Sequence, residues 1–385
     1  MKIALPIIII LFMSSVGELF AQKKSVQDTW HIAGVLPSNN QQKEGLGLAG
    51  PITGISGNRL LVAGGANFPD GMPWQGGKKI FHNKVYSFKK RGQKLSLVTD
   101  EYQLPENIAY AASCSTPKGV LYAGGESEKG ISDKVFLLKW DHYASAVIIE
   151  SLPALPLAVS NASAISYNNI VYVLGGETQE GVSNMLWVID LNDIHAGWSQ
   201  LPSMPKQISH GVFVAIKSSG ILKLYMVGGR RKTSQGISEL YNTVYEFNVL
   251  QQKWSELAPL PYPLSAGTGV ATKNGNILLF GGDRGTTFSK VENYLSLINK
   301  APTQLEKEEL VLKKNQVLLS HPGFSQEILL YNIQTQSTKM AGLIPYPTPV
   351  TTNAFYWGKE VVIPTGEIKA GIRTSQILMA KISRL

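Results

Sequence analysis

Apolar positions along this chain come in short runs, and the runs recur. LLVAGG ends at Gly65, VLYAGG at Gly125, VYVLGG at Gly176, LYMVGG at Gly229 and ILLFGG at Gly282, while a sixth run, VVIPTG, ends at Gly366. The successive intervals are 60, 51, 53, 53 and 84 residues. Each run reads as a short apolar strand. The glycines that end it permit backbone angles closed to other residues and let neighbouring elements pack closely. A second periodic mark lies further along each unit: Trp198 to Pro205 in WSQLPSMP and Trp254 to Pro261 in WSELAPLP have the same spacing as Trp30 to Pro37 in WHIAGVLP.

A period near 50 with a strand ending in Gly-Gly is the mark of kelch repeats, each a four-stranded blade of a β-propeller. The pattern predicts an all-β chain with six blades. Its last segment supplies only three strands, roughly 350–357, 360–366 and 375–382, whereas Trp30 to Leu36 is an outer strand with no blade before it. The N-terminal strand is therefore expected to complete the last blade and close the ring, which removes the edges of an open array. The tryptophans, and Tyr86, Tyr245 and Tyr331 on third strands, are expected to pack in the core.

The 84-residue interval holds an insertion, placed at residues 283–326. Val291, Tyr294, Leu295 and Ile298 follow helical spacing, and KEELVLKKN around Leu310 offers a second helix. Both are expected to leave from the loop between the second and third strands of blade five and to cover one face of the ring.

Residues 1–21, MKIALPIIIILFMSSVGELFA, have one Lys, an apolar stretch and then small residues, the pattern of a secretory signal peptide cleaved after Gly17 or Ala21. No cysteine stands there for a lipid anchor, and no second long apolar run follows, so residues 22–385 are expected to form one exported, periplasmic domain without membrane insertion. Cys114 is the only cysteine, which excludes an intrachain disulfide. The formal net charge of +9 favours anionic partners. The basic residues are scattered without a dense run, which argues against nucleic acid.

On the face that carries the loops between second and third strands, two rows of polar residues are expected to converge on the axis. One follows the glycine pairs: Asn67, Glu126, Glu177, Arg230, Arg231, Asp283, Arg284 and Glu367. The other precedes the inner strands: Asn107, Asn161, His210, Ser265 and Asn353. The loop from Ala66 to Phe81 adds Lys78 and Lys79. Glu367 and Arg373 stand apart because one short hairpin, IPTGEIKAGIRTS, can aim both inward. The six histidines show no metal-ligand spacing, and neither a G-x-S-x-G nucleophile motif nor a phosphate-cradling loop is present, so neither metal nor cofactor is expected. A two-carboxylate glycosidase using Glu126, Glu177 and Glu367 stays open at this point.

Gly366 to Thr374, GEIKAGIRT, resembles the G-E-x-K-x-G-x-R-T element of bacterial N-acetylneuraminate epimerases, which are six-bladed kelch propellers. AGGANF at Ala63–Phe68, GGKK at Gly76–Lys79, the helical insertion after GGDRGTTF and IPYPTPVTTNAFYW extend the likeness over most of the chain. The Glu-Arg hairpin lies in the last blade here and mid-chain in enteric members, so the chain resembles the cyclically permuted subgroup. A closed ring tolerates such a shift of its break.

The resemblance implies mutarotation of free sialic acid, a small acidic sugar. It assigns Glu367 as proton acceptor at the anomeric hydroxyl and Arg373 as the second active-site residue. Arg373 cannot donate a proton, so it is expected to grip the sugar carboxylate or a developing oxyanion. His210 or a water is left as the acid, and Asn67, Lys78, His210, Arg230 and Arg284 as further substrate contacts. The competing readings are a binding module without chemistry and, less well matched, a sialidase, whose S-x-D-x-G-x-T-W boxes are missing.

Overall fold

The computed structural model describes residues 29–38 and 45–382. The leader expected over 1–21 lies outside the described residues. Six four-stranded antiparallel sheets form the blades of a propeller. Blade one is Ile52–Ser56, Arg59–Ala63, Lys84–Arg91 and Lys94–Gln103, and four more blades follow in chain order to Ser337–Leu343. In the sixth sheet the order is Trp30–Val35, Ile372–Lys381, Glu360–Lys369, Phe355–Trp357. The N-terminal strand thus completes the last blade, with Trp30 opposite Ala380 and Val35 opposite Gln376.

The core is a cycle of contacts between blades. Along the second strand of blade one, Leu60 and Val62 face a cluster shared with Val362 and Met379 of blade six, while Leu61 and Ala63 face one shared with Val120 and Tyr122 of blade two. Successive strand residues point to opposite faces, so a strand squeezed between two neighbours is apolar at every position. That is why the runs before the glycine pairs do not alternate. Trp30 meets Phe280 of blade five edge-on, with centroids 5.7 Å apart. The other tryptophan marks act between blades through a polar bond: Trp254 donates from its indole N–H to the carbonyl of Pro202, and Trp198 to that of Pro153. Tyr86, Tyr245 and Tyr331 are buried as expected.

The glycine pairs are required by backbone geometry. At Gly175, φ is 70° and a Cβ would lie 2.2 Å from the Ile208 carbonyl oxygen of the following segment. Blade six departs from this: Thr365, with φ 43°, takes the first glycine's place. This unfavourable conformation for a β-branched residue is held by its hydroxyl, which accepts from Leu48 N–H and reaches the carbonyls of Leu48 and Thr374. In blades one to four the chain after the pair enters a separate two-stranded ladder, whereas in blade six Glu360–Lys369 continues through, with bulges, against Ile372–Lys381.

Two helices, α1 (Thr286–Lys300) and α2 (Gln304–Leu319), lie between the second and third strands of blade five. Thr303 caps α2 by accepting from Glu306 N–H. Of the residues at helical spacing in α1, Ile298 is buried but Leu295 is exposed. The inward face includes Glu292, whose buried carboxylate accepts from both the N–H and the hydroxyl of Ser238 and so ties α1 to blade four. No helix among the described residues is long and apolar enough to cross a membrane.

Candidate active site

One residue from each blade contributes to a closed ring of backbone hydrogen bonds about the axis. Tyr110 N–H donates to Gly50 O, Asn161 to Tyr110, His210 to Asn161, Ala266 to His210, Thr351 to Ala266 and Gly50 to Thr351, over 2.8–3.1 Å. All six have φ between 52° and 60°. Five of them are not glycine, so the conformation costs energy that the ring bonds offset. The residue before each ring position bridges to the residue after the second-strand turn: Ala49 to Ala66, Ala109 to Glu126, Ser160 to Glu177, Ser209 to Arg230, Ser265 to Asp283 and Val350 to Glu367. This register selects which neighbour in each polar pair faces the axis.

Above the ring lies a cavity of about 320 Å³, lined by Glu126, Arg230, Asp283 and Glu367 from the turns and by Lys79 from the long loop. The helical insertion roofs it with Phe288, Val291, Leu318, His321 and Phe324. Below the ring a second cavity of about 360 Å³ follows the channel, with no carboxylate, lysine or arginine in its lining. Several of its hydroxyls serve backbone groups, as when Ser113 Oγ accepts from Thr53 N–H. Carboxylates, lysine and arginine thus line the upper cavity alone, while the ring residues Tyr110, Asn161 and His210 border both.

Several expected site residues stand elsewhere. Asn67 is buried outside the cavity, donating to Gly47 O and bonded to His82, because Ala66 takes the axial position. Lys78 is exposed, and Lys79 beside it lines the cavity, bonds Glu126 at 2.9 Å and sits over the rings of Phe81 and Tyr110. Arg284 is absent from the lining, paired with Glu327 and stacked on Tyr262. Asn353 lies in the lower channel against Ser113, and Asn107 is exposed. Asn161, His210 and Arg230 are brought to the cavity.

His210 is fixed in one protonation state by its partners. Arg230 can only donate, and its Nη2 lies 3.1 Å from His210 Nε2, so Nε2 accepts. The proton is then on Nδ1, which faces Ser209 Oγ at 3.0 Å and Glu177 at 3.7 Å. Burial, followed by the Arg230 charge, pushes the imidazole pKa well below its usual value. A neutral ring turned this way has no proton to give at Nε2.

Glu367 lines the cavity, and Oε1 accepts from Gly371 N–H at 2.8 Å. Burial raises its pKa, against the lowering effects of Arg373, the Gly371 bond and Arg230. Arg373 is its cross-strand partner in the hairpin, with Nη2 3.9 Å from Oε1. Its guanidinium is not in the cavity lining but stands behind, over the Phe68 ring, with Nε and Nη1 finding no hydrogen-bond partner among the described residues. From this position the Arg373 charge acts on Glu367. Arg230, 4.5 Å from the Phe288 ring of α1, is the guanidinium that lines the cavity.

Tyr110 and His321 also line the cavity and were not singled out from the sequence. His321 Nδ1 accepts from Gly323 N–H, which leaves the neutral ring's proton on Nε2. Among the described residues no group of three or more His, Cys, Asp or Glu is arranged to hold a metal ion.

Fold and site together define a six-bladed propeller with a helix-roofed axial cavity built around a largely buried carboxylate–guanidinium pair. The chain belongs to the N-acetylneuraminate epimerase family, whose model matches residues 14–147 and 152–384. It is similar to the N-acetylneuraminate epimerase of Salmonella typhimurium strain LT2, 25% identical over 237 residues that make up 60% of this chain and 58% of that protein. It is also similar to the protein of the same name from Haemophilus influenzae strain PittEE, 23% identical over 235 residues, 61% of this chain and 60% of that protein. These alignments span less than two thirds of the relatives' length.

Proposed function

We propose that this protein is an exported mutarotase that interconverts the α and β anomers of free N-acetylneuraminate. The observation that carries the reading is Glu367, a largely buried carboxylate in the axial cavity whose pKa is raised toward the range useful to a base, beside a guanidinium that keeps it ionisable. Family membership supports the choice of sugar. Glu367 takes the proton of the anomeric hydroxyl, the ring oxygen is protonated, and the ring C–O bond breaks to give an open-chain ketone. Rotation about the adjacent carbon–carbon bond and reclosure on the other face give the second anomer. Arg230 holds the sugar carboxylate, a task suited to a largely buried guanidinium in the cavity wall. Export through the N-terminal leader, to the periplasm in a Gram-negative cell, belongs to the same proposal.

Proton NMR of freshly liberated α-N-acetylneuraminate tests it. The parent protein accelerates approach to the anomeric equilibrium, and Glu367→Gln abolishes most of that acceleration. A parent that binds the sugar but leaves the spontaneous rate unchanged is a binding module. N-terminal sequencing of the secreted protein tests the leader, with a mature start after Gly17 or Ala21.

A further inference from the structure

Ring opening needs two proton transfers, at the anomeric hydroxyl and at the ring oxygen, and these two oxygens are bonded to one carbon. Base and acid must therefore stand side by side. Among the proton carriers of the cavity, His210 presents an acceptor at Nε2, Lys79 is paired with Glu126, and Arg230 does not release a proton. His321 belongs to the roof, where its charged neighbours are Asp283 and Lys369. Tyr110 lines the same cavity as the base, and the Arg373 and Glu367 charges both act on its phenol.

Resting on the mutarotase reading, we infer that Tyr110 is the general acid, protonating the ring oxygen while Glu367 takes the anomeric proton. In the opening step the Glu367 carboxylate gains a proton and the anomeric C–O becomes a carbonyl. The ring C–O bond breaks with its electron pair going to the ring oxygen, and that oxygen receives the Tyr110 proton. Reclosure reverses each transfer: the phenolate takes back its proton as the hydroxyl attacks the carbonyl, and Glu367 returns its own. No oxidant, metal or other reactant is consumed.

The fold places this side chain deliberately. Tyr110 is a member of the axial ring at φ 59°, a conformation aromatic residues rarely take. The neighbouring ring position is Gly50, where a Cβ would lie 2.3 Å from Tyr110 Cδ1. The one glycine of the ring thus makes room for the phenol. Lys79 Nζ lies 5.3 Å from the ring centroid. Burial holds the phenol neutral, its pKa pushed up to about 12, while Arg373 pulls the other way and Glu367 adds to the rise. When Glu367 accepts its proton, that last effect vanishes. The base's own protonation therefore makes the acid stronger at the moment it is needed, with Arg373 and Lys79 placed to stabilise the phenolate.

The test is Tyr110→Phe, compared with the parent by NMR mutarotation rate, by the sugar's Kd from calorimetry and by thermal unfolding. A positioned acid contributes a factor of about 10² or more. The variant is expected to lose at least that factor in kcat with Kd changed less than threefold; parental kcat, or a loss confined to Kd, overturns the assignment and leaves the mutarotase reading intact. Should Tyr110→Phe fold poorly, 3-fluorotyrosine at position 110 keeps the shape and acidifies the phenol. The alkaline limb of the rate profile should then move to lower pH, and an unmoved limb sinks the idea. A parent that does not accelerate mutarotation removes both readings.

Discussion

Glu367 and Arg373 face each other across the hairpin of the ring-closing blade, Oε1 and Nη2 3.9 Å apart, with the carboxylate toward the cavity and the guanidinium behind it. Burial works against the carboxylate's charge and the arginine works for it. Which effect wins is seen in the net direction, a pKa above the ordinary 4.5.

This has a consequence for stability. A carboxyl whose pKa is higher in the folded than in the unfolded chain contributes stability below the unfolded value and loses it as pH rises through the folded one. Glu367→Gln removes that titration and adds a pH-independent offset from the altered Arg373 contact. The stability of the variant relative to the parent should therefore rise with pH above 4.5 and then level off, as measured by urea unfolding at a series of pH values. A difference that stays flat would show that Glu367 titrates normally.

Arg373→Met leaves the largely buried carboxylate without the cation that acts on it most strongly. Its pKa should climb further, so the acid limb of the mutarotation rate profile moves to higher pH, and part of the activity lost at neutral pH returns in alkaline buffer. An arginine that contacted substrate directly would instead lower the rate equally at every pH.

Arg230→Gln tests the carboxylate anchor. Loss of a buried charged contact costs about 2 kcal/mol or more, roughly thirtyfold in affinity. The expected outcome is a KM raised by that factor for N-acetylneuraminate, with a much smaller effect on an uncharged analogue of the sugar. Equal weakening for both would assign Arg230 a structural task.

Trp30→Ala tests ring closure. The indole is buried against Phe280, and large-to-small changes at such sites cost about 3–5 kcal/mol. Because the core is a cycle of inter-blade clusters, the loss should lower Tm for the whole domain in one cooperative transition. Separate melting of blade six would contradict the cycle.

The helical insertion adds a contribution that no repeat could announce. Phe288, Val291, Leu318, His321 and Phe324 roof the cavity, and they come from a segment unique to blade five. The 84-residue interval, the helical spacing around Val291 and KEELVLKKN around Leu310 pointed to two helices over one face, but not to which side chains roof the cavity. Of the expected apolar stripe of α1, Leu295 is exposed, while the polar Glu292 takes a buried place against blade four.

What repeats could be read directly from the chain. The apolar runs before Gly65, Gly125, Gly176, Gly229 and Gly282, the Trp-to-Pro spacing and the unowned strand at Trp30 determine six blades and their closure, because each mark reports local backbone and packing requirements that recur in every blade. Glu367 and Arg373 were legible for the opposite reason: their hairpin breaks the repeat. The rest was decided by tertiary structure. Adjacent residues on a strand point to opposite faces, so Asn67 against Ala66, Arg284 against Asp283 and Lys78 against Lys79 depend on bridge register and loop path, which sequence alone does not report. Tyr110 shares a cavity with Glu367 because six backbone bonds from six blades close a ring around the axis, and no local stretch of the chain encodes that closure.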